Sequence, residues 1–233
     1  MVNCSSWADV WESCGGKRQS PIDIVSEKVL TAGPEFPLIF TGNCPHFSLS
    51  APHEPLECDV FRGNCEVSLE NSVYKLAQFH LHAPSEHTLD GKQKHGEIHF
   101  VHKSIDGDAL LVVGIFLELD AESDPWLGPL LDTLENVSSA QQTDAVMVRL
   151  KPYAKLINTA FANGGAYNYP GSLTTPGCAE TVDWWVLKSP MKISSIDYGR
   201  LHQDLVEYEI TDNGNNARPV QPLLGRSVTY YTS

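Results

Sequence analysis

The chemistry in this sequence concentrates on three histidines and their flanks. In Gln78-Phe79-His80-Leu81-His82, β-strand alternation puts residues i and i+2 on one face, so Gln78, His80 and His82 project together. Sixteen residues then intervene before His99, which lies in the alternating run Glu97-Ile98-His99-Phe100-Val101. Asp90-Gly91 supplies a turn signal between the two runs. Two strands joined in this way can pair antiparallel and bring His99 beside His80 and His82. Three imidazoles on a rigid sheet leave one tetrahedral position of Zn²⁺ open, as a catalytic zinc requires, whereas a structural zinc fills all four. Gln78 and Glu97 stand two residues before His80 and His99. They are placed to accept the second ring N–H of a ligand and so fix its tautomer.

The elements that must position these groups are mostly strands. Segments 67–69, 74–82, 97–102 and 181–187 are short, partly alternating or rich in β-branched and aromatic residues. The near-continuous apolar run 109–119 suits a central strand buried on both faces. Asp124-Pro125 caps a helix over 126–137. A second helix is expected over 152–161, ended by Asn163-Gly164-Gly165, and a third from Ser195 to about Val206. No repeat and no linker divides residues 1–233, so we read one domain.

With 42% hydrophobic and 19% charged residues the chain is globular, and a formal net charge of −13 argues against nucleic acid or anionic membrane as the main partner. No apolar run is long enough for a membrane-spanning helix. Six cysteines without a C-x-x-C pair favour disulfides over thiolate ligands, and hence an oxidising, extracytoplasmic location. That reading implies that the targeting segment is absent from this chain.

The histidine block extends to Q-F-H-L-H…S-E-H and G-E-I-H-F-V-H, which strongly resembles the α-class carbonic anhydrases. Three further blocks follow that family in order: 16–24 (GKRQSPIDI), 171–176 (GSLTTP) and 218–223 (RPVQPL). The resemblance runs from about Trp7 to Arg226. It implies a mainly β domain built on a large twisted, mostly antiparallel central sheet of about ten strands, with peripheral helices. It also implies zinc on His80, His82 and His99, and hydration of carbon dioxide to bicarbonate and a proton by hydroxide generated at the metal. Carbonic anhydrase is itself the reference case for this effect, zinc lowering the pKa of bound water from 15.7 to about 7.

By the same resemblance, Thr174 accepts a hydrogen bond from the nucleophile and donates its own proton to an ionised Glu86, and Thr175 lies beside the product. Val101, Val112, Leu173 and Trp184 form an apolar place for carbon dioxide. His46 is the match for a proton-shuttling histidine, with His53 the weaker candidate. Sulfonamides and anions are expected inhibitors. Cys14 and Cys178 match positions that form a disulfide; Cys58–Cys65 around Gly63-Asn64 and Cys4–Cys44 are the remaining pairs we expect. Ala83-Pro84-Ser85 stands where many animal members carry Trp-Gly, a departure that removes no catalytic group.

Two other readings compete. His80, His82 and Glu86 also have the H-x-H-x-x-x-E spacing of cupin barrels, in which Glu86 would bind iron or manganese, but the cupin glycine pattern is missing. A binding or storage protein on the same scaffold typically lacks a ligand histidine, and all three are present here. A serine hydrolase has no G-x-S-x-G turn to rest on.

Overall fold

The computed structural model describes residues 6–50, 56–138, 146–206 and 211–233. Its strands are β1 (Asp23–Ile24), β2 (Leu30–Ala32), β3 (Leu38–Ser50), β4 (Glu57–Leu69), β5 (Ser72–His82), β6 (Thr88–Leu89), β7 (Lys92–Gln93), β8 (Gly96–Ser104), β9 (Leu110–Asp120), β10 (Val146–Arg149), β11 (Ala166–Gly171), β12 (Val182–Ser194) and β13 (Thr229–Tyr231). Ten of them form one sheet in the order β10-β3-β4-β5-β8-β9-β12-β11-β13-β2, and β1, β6 and β7 form a small second sheet. Within the large sheet only β9 with β12 and β13 with β2 pair parallel; the other neighbours are antiparallel. The expected fold class is what the structure has.

Burial follows the pleat. Along β9, Leu111, Val113, Ile115 and Leu117 enter the larger core, while Val112 and Phe116 enter a second core on the opposite face. This is why the segment reads as unbroken apolar sequence. Helices α1 (Trp7–Val10), α2 (Gly128–Ser138), α3 (Tyr153–Gly164) and α4 (Ser195–Val206) are peripheral. Of these, α3 and α4 pack on the larger core through Tyr153, Ile157, Phe161, Leu201 and Leu205. The larger core centres on aromatic contacts between Phe79 and Phe47, Phe100 and Trp126, with ring centroids 5.0–5.5 Å apart, within the range of favourable ring pairing.

The disulfides differ in part from expectation. Cys14 bonds Cys178 across 164 residues, a closure that the chain-entropy model values at about 5 kcal/mol. The second bond joins Cys44 to Cys65, and Cys58 is free and buried. The expected Cys58–Cys65 pair fails because Gly63-Asn64 makes no hairpin turn. Strand β4 continues through it without reversing, so the two cysteines lie on one strand rather than facing each other across a hairpin. Cys65 instead lies opposite Gly42 on β3, beside the irregular stretch that contains Cys44. The Cys44–Cys65 bond also overturns the expected Cys4–Cys44 pair; Cys4 itself lies outside the described residues.

Peptide mapping under non-reducing conditions should recover Cys14–Cys178 and Cys44–Cys65 linked peptides. A pH dependence follows from His102, whose Nδ1–H donates to the Leu111 carbonyl at 3.0 Å while Nε2 faces the Tyr153 hydroxyl at 3.1 Å. Burial lowers its pKa from 6.5 to about 4. The unfolded chain therefore gains a proton that the fold refuses. Stability should fall by up to about 3 kcal/mol as pH drops from about 6.5 toward 4. His102→Gln should flatten that part of a urea-midpoint curve.

Candidate metal centre

Antiparallel pairing of β5 with β8 sets His80 directly opposite His99 and His82 opposite Glu97. The alternation expected from the sequence holds, and the ring centroids of His80, His82 and His99 lie 4.7–5.1 Å apart. One ligating atom from each falls within 4.8 Å of the other two.

Each outward nitrogen faces an acceptor. His80 Nδ1 donates to Gln78 Oε1 at 2.9 Å, and His82 Nδ1 donates to the Asn216 carbonyl at 3.3 Å. His99 Nε2 lies 3.0 Å from Glu97 Oε1. Those acceptors favour the tautomer that turns a lone pair inward, at Nε2 of His80 and His82 and at Nδ1 of His99. Burial lowers the pKa of all three, that of His82 to about 4, so the rings are neutral donors at physiological pH. The inward Nε2 of His82 is buried with no hydrogen bond. A buried lone pair without a partner is costly, and a cation shared by the three nitrogens would satisfy it. Three neutral imidazoles with one open vertex suit zinc.

Glu97 organises the ground behind the metal site. Its Oε2 accepts the backbone N–H groups of Glu86 and His87 at 3.0 and 2.9 Å, and its Oε1 accepts from His87 Nδ1 at 2.8 Å. Burial pushes its pKa up, but the facing His87 and His99 outweigh that and hold it well below the usual carboxylate range. The chain continues from His87 Nε2 to the Tyr169 hydroxyl at 2.6 Å, and from there to Ser20 Oγ at 2.9 Å. With its carboxylate fully used, the His87–Glu97–His99 group is a hydrogen-bond network rather than a second metal site. Gly114, opposite His99 on β9, makes room for it: a Cβ there would stand 2.7 Å from Glu97 Oε1.

Glu86 is buried between the histidines and the C-terminal segment. Its Oε1 accepts the Arg218 backbone N–H at 2.8 Å, and Oε2 lies 3.5 Å from His82 Nε2. Burial raises its pKa, opposed by His99 and by hydrogen bonds from Arg218 and the Thr174 hydroxyl. Thr174 and Thr175 follow β11 in a loop that the N-terminal segment clamps. Ser13 Oγ donates to the Gly177 carbonyl, Ser20 and Ser172 exchange two hydrogen bonds, and Cys14 bonds Cys178.

A cavity of about 250 Å³ opens over His80 and His99. Val101, Val112, Leu173, Trp184, Leu110 and Ala77 form an apolar side; Gln78, Thr174, Thr175, Glu57, Asp59 and Lys103 form a polar one. Register explains the apolar side, since Val101 pairs with Val112 and Val112 with Trp184 on adjacent strands. His82, Glu86 and Glu97 stand behind the cavity floor. His46 is elsewhere: half-buried on β3, it faces Arg62 on β4 and Arg149 on β10 and is not a wall residue. His53 lies outside the described residues.

The family profile described as eukaryotic-type carbonic anhydrase matches residues 3–232. The chain belongs to that family. Carbonic anhydrase 7 of Homo sapiens is 32% identical over 96% of this chain and 92% of its own length. The alpha-carbonic anhydrase of Thermovibrio ammonificans, solved with the inhibitor sulfanilamide, is 30% identical with a TM-score of 0.77, covering 98% of this chain and 95% of that one. Dioscorin, solved in complex with ascorbate, is 29% identical with a TM-score of 0.84, covering 98% and 93%. Likeness of fold therefore spans proteins of different names, and the activity has to be argued from the side chains.

Sequence reasoning missed Asn216, Arg218 and Gly114 at this site. Asn216 accepts from His82 and Arg218 donates to Glu86 through backbone groups, and Gly114 acts through the lack of a side chain, so those contacts left no signal in residue type, although the Asn216 side chain also bonds the Ala83 N–H and the Leu81 carbonyl beside His82. Tyr169→Phe should leave His87 Nε2 without its partner and cost about 1–3 kcal/mol, read from urea unfolding midpoints.

Proposed function

We propose that this chain is a zinc enzyme that hydrates carbon dioxide to bicarbonate and a proton. The observation that carries this reading is the convergence of three buried ring nitrogens beside a cavity that Thr174 lines, with Glu86 behind it as the Thr174 partner. His80, His82 and His99 would hold the ion through Nε2, Nε2 and Nδ1. When bound, the ion supplies the positive charge that makes water acidic enough to yield a nucleophile near neutral pH.

The remaining roles belong to the chain's own groups. Because the Thr174 proton is committed to Glu86, its oxygen can only accept a hydrogen bond from a nucleophile in the cavity. That turns a lone pair of the nucleophile toward the substrate carbon, a positioning effect. Glu86 must be ionised to receive the Thr174 proton, and the donated hydrogen bonds from Arg218 and Thr174 favour that state against burial. Carbon dioxide has no hydrogen-bond donor, and Val101, Val112, Leu173 and Trp184 offer it surface that water binds poorly. Thr175 stands at the same wall for the bicarbonate product.

Sulfonamides and simple anions are the expected inhibitors, supported by the sulfanilamide complex of the Thermovibrio relative. Two disulfides support an extracytoplasmic location. Membership of the carbonic anhydrase family removes the cupin barrel, the reading in which Glu86 was to be a ligand. A binding or storage role would not need the Thr174–Glu86 contact, whose retention favours catalysis.

His82→Ala should abolish zinc retention on gel filtration followed by metal analysis; a variant that keeps both metal and activity would sink the ligand assignment. Thr174→Ala should keep zinc while carbon dioxide hydration, followed by stopped flow, falls about 10²-fold. Chelation should remove activity and added zinc restore it.

A further inference from the structure

Hydration releases one proton for each bicarbonate formed, and that proton must leave the cavity before the next turnover. Apart from His80 and His99, the titratable groups on the wall among the described residues are Glu57, Asp59 and Lys103. A lysine ammonium has no lone pair with which to accept a proton. Asp59 is exposed, whereas Glu57 is half-buried and tied to the site: Gln78 Nε2 donates to its Oε2 at 3.2 Å, and Gln78 Oε1 accepts from His80. The wall therefore presents one carboxylate that reaches inward along a hydrogen-bonded path and outward to solvent.

We propose that Glu57 is the acid–base group that takes up the proton released in the cavity and passes it to solvent. The proposal rests on the carbonic anhydrase reading. Water and carbon dioxide give bicarbonate and a proton; the proton bonds to a Glu57 carboxylate oxygen, then transfers to a dissolved buffer base, which restores the carboxylate. No electron changes hands.

The surroundings suit the task. Burial raises the Glu57 pKa and Asp59, two residues along β4, raises it further, while Lys103 from β8 opposes them. The facing group from β5, Gln78, is neutral. A carboxyl shifted upward lies nearer the operating pH, where an acid–base group works best.

The test is Glu57→Gln, which keeps an oxygen to accept the Gln78 amide but cannot exchange the proton. In the zinc-loaded protein kcat should fall at least about tenfold in dilute buffer, with kcat/KM unchanged, and imidazole should restore it. In the metal-free protein, carbon-13 NMR of the side-chain carboxyl should place the Glu57 titration above that of an ordinary glutamate. The idea is overturned if Glu57→Gln leaves the buffer dependence intact, or if His53→Ala produces the loss instead. It is also overturned if kcat/KM and zinc affinity fall together without imidazole rescue, since Glu57 would then merely hold Gln78. Lack of hydration by the unaltered, zinc-loaded protein would instead remove the enzymatic reading itself.

Discussion

The antiparallel register of β5 against β8 puts His80 opposite His99 and His82 opposite Glu97, and the site has no other source of convergence. A slip of β5 by one residue would turn His80 and His82 to the opposite face from His99, into the aromatic core around Phe79 and Phe100. The register is guarded by what lies between the histidines. Phe79, Leu81, Ile98 and Phe100 are fully buried on that opposite face, so every slip that displaces a ligand also exposes large apolar surface or buries imidazole against it. Hydrophobic packing on one side of the sheet thus enforces metal geometry on the other.

That arrangement demands unusual care with polar groups. His80, His82, His87, His99, Glu86 and Glu97 are all buried, and Glu97 is the one carboxylate that touches backbone, a ligand and the Tyr169–Ser20 chain at once. Burial of so many ionisable groups is costly without partners, and those come from three distant parts of the sequence. Ser20 arrives from the N-terminal segment, Tyr169 from β11, Asn216 and Arg218 from near the C-terminus. The centre is therefore finished by the whole fold, although two adjacent strands hold its three ligands.

The parts legible in sequence share a physical cause. Period-two alternation revealed the strands that carry His80, His82 and His99, and the apolar run revealed β9, because burial on one face or two leaves a pattern. A helix from Ser195 to Val206 is observed at the expected bounds, but the capping hydroxyl is that of Ser194, which accepts the Asp197 N–H, and not that of Ser195. The β3 strand and β4 before Val67 were not read, since irregular pairing breaks their alternation between Asn43 and Phe47 and between Asp59 and Glu66. The same irregularity hid the Cys44–Cys65 partnership. Resemblance supplied what periodicity could not, namely which threonine and which glutamate meet. His46, matched by its local sequence, pairs with Arg62 and Arg149 in the sheet and is not among the residues that line the cavity.

Gly114 carries a further consequence. Its contribution to the centre is an absence: a hydrogen where any other residue would put carbon 2.7 Å from a carboxylate oxygen. An alanine scan, which normally reports what is lost when atoms are deleted, would here report the damage done by adding one. The methyl group would push Glu97 away from His87 and His99 together. Sensitivity at a position with no functional group would then mark the space that a functional group elsewhere must occupy.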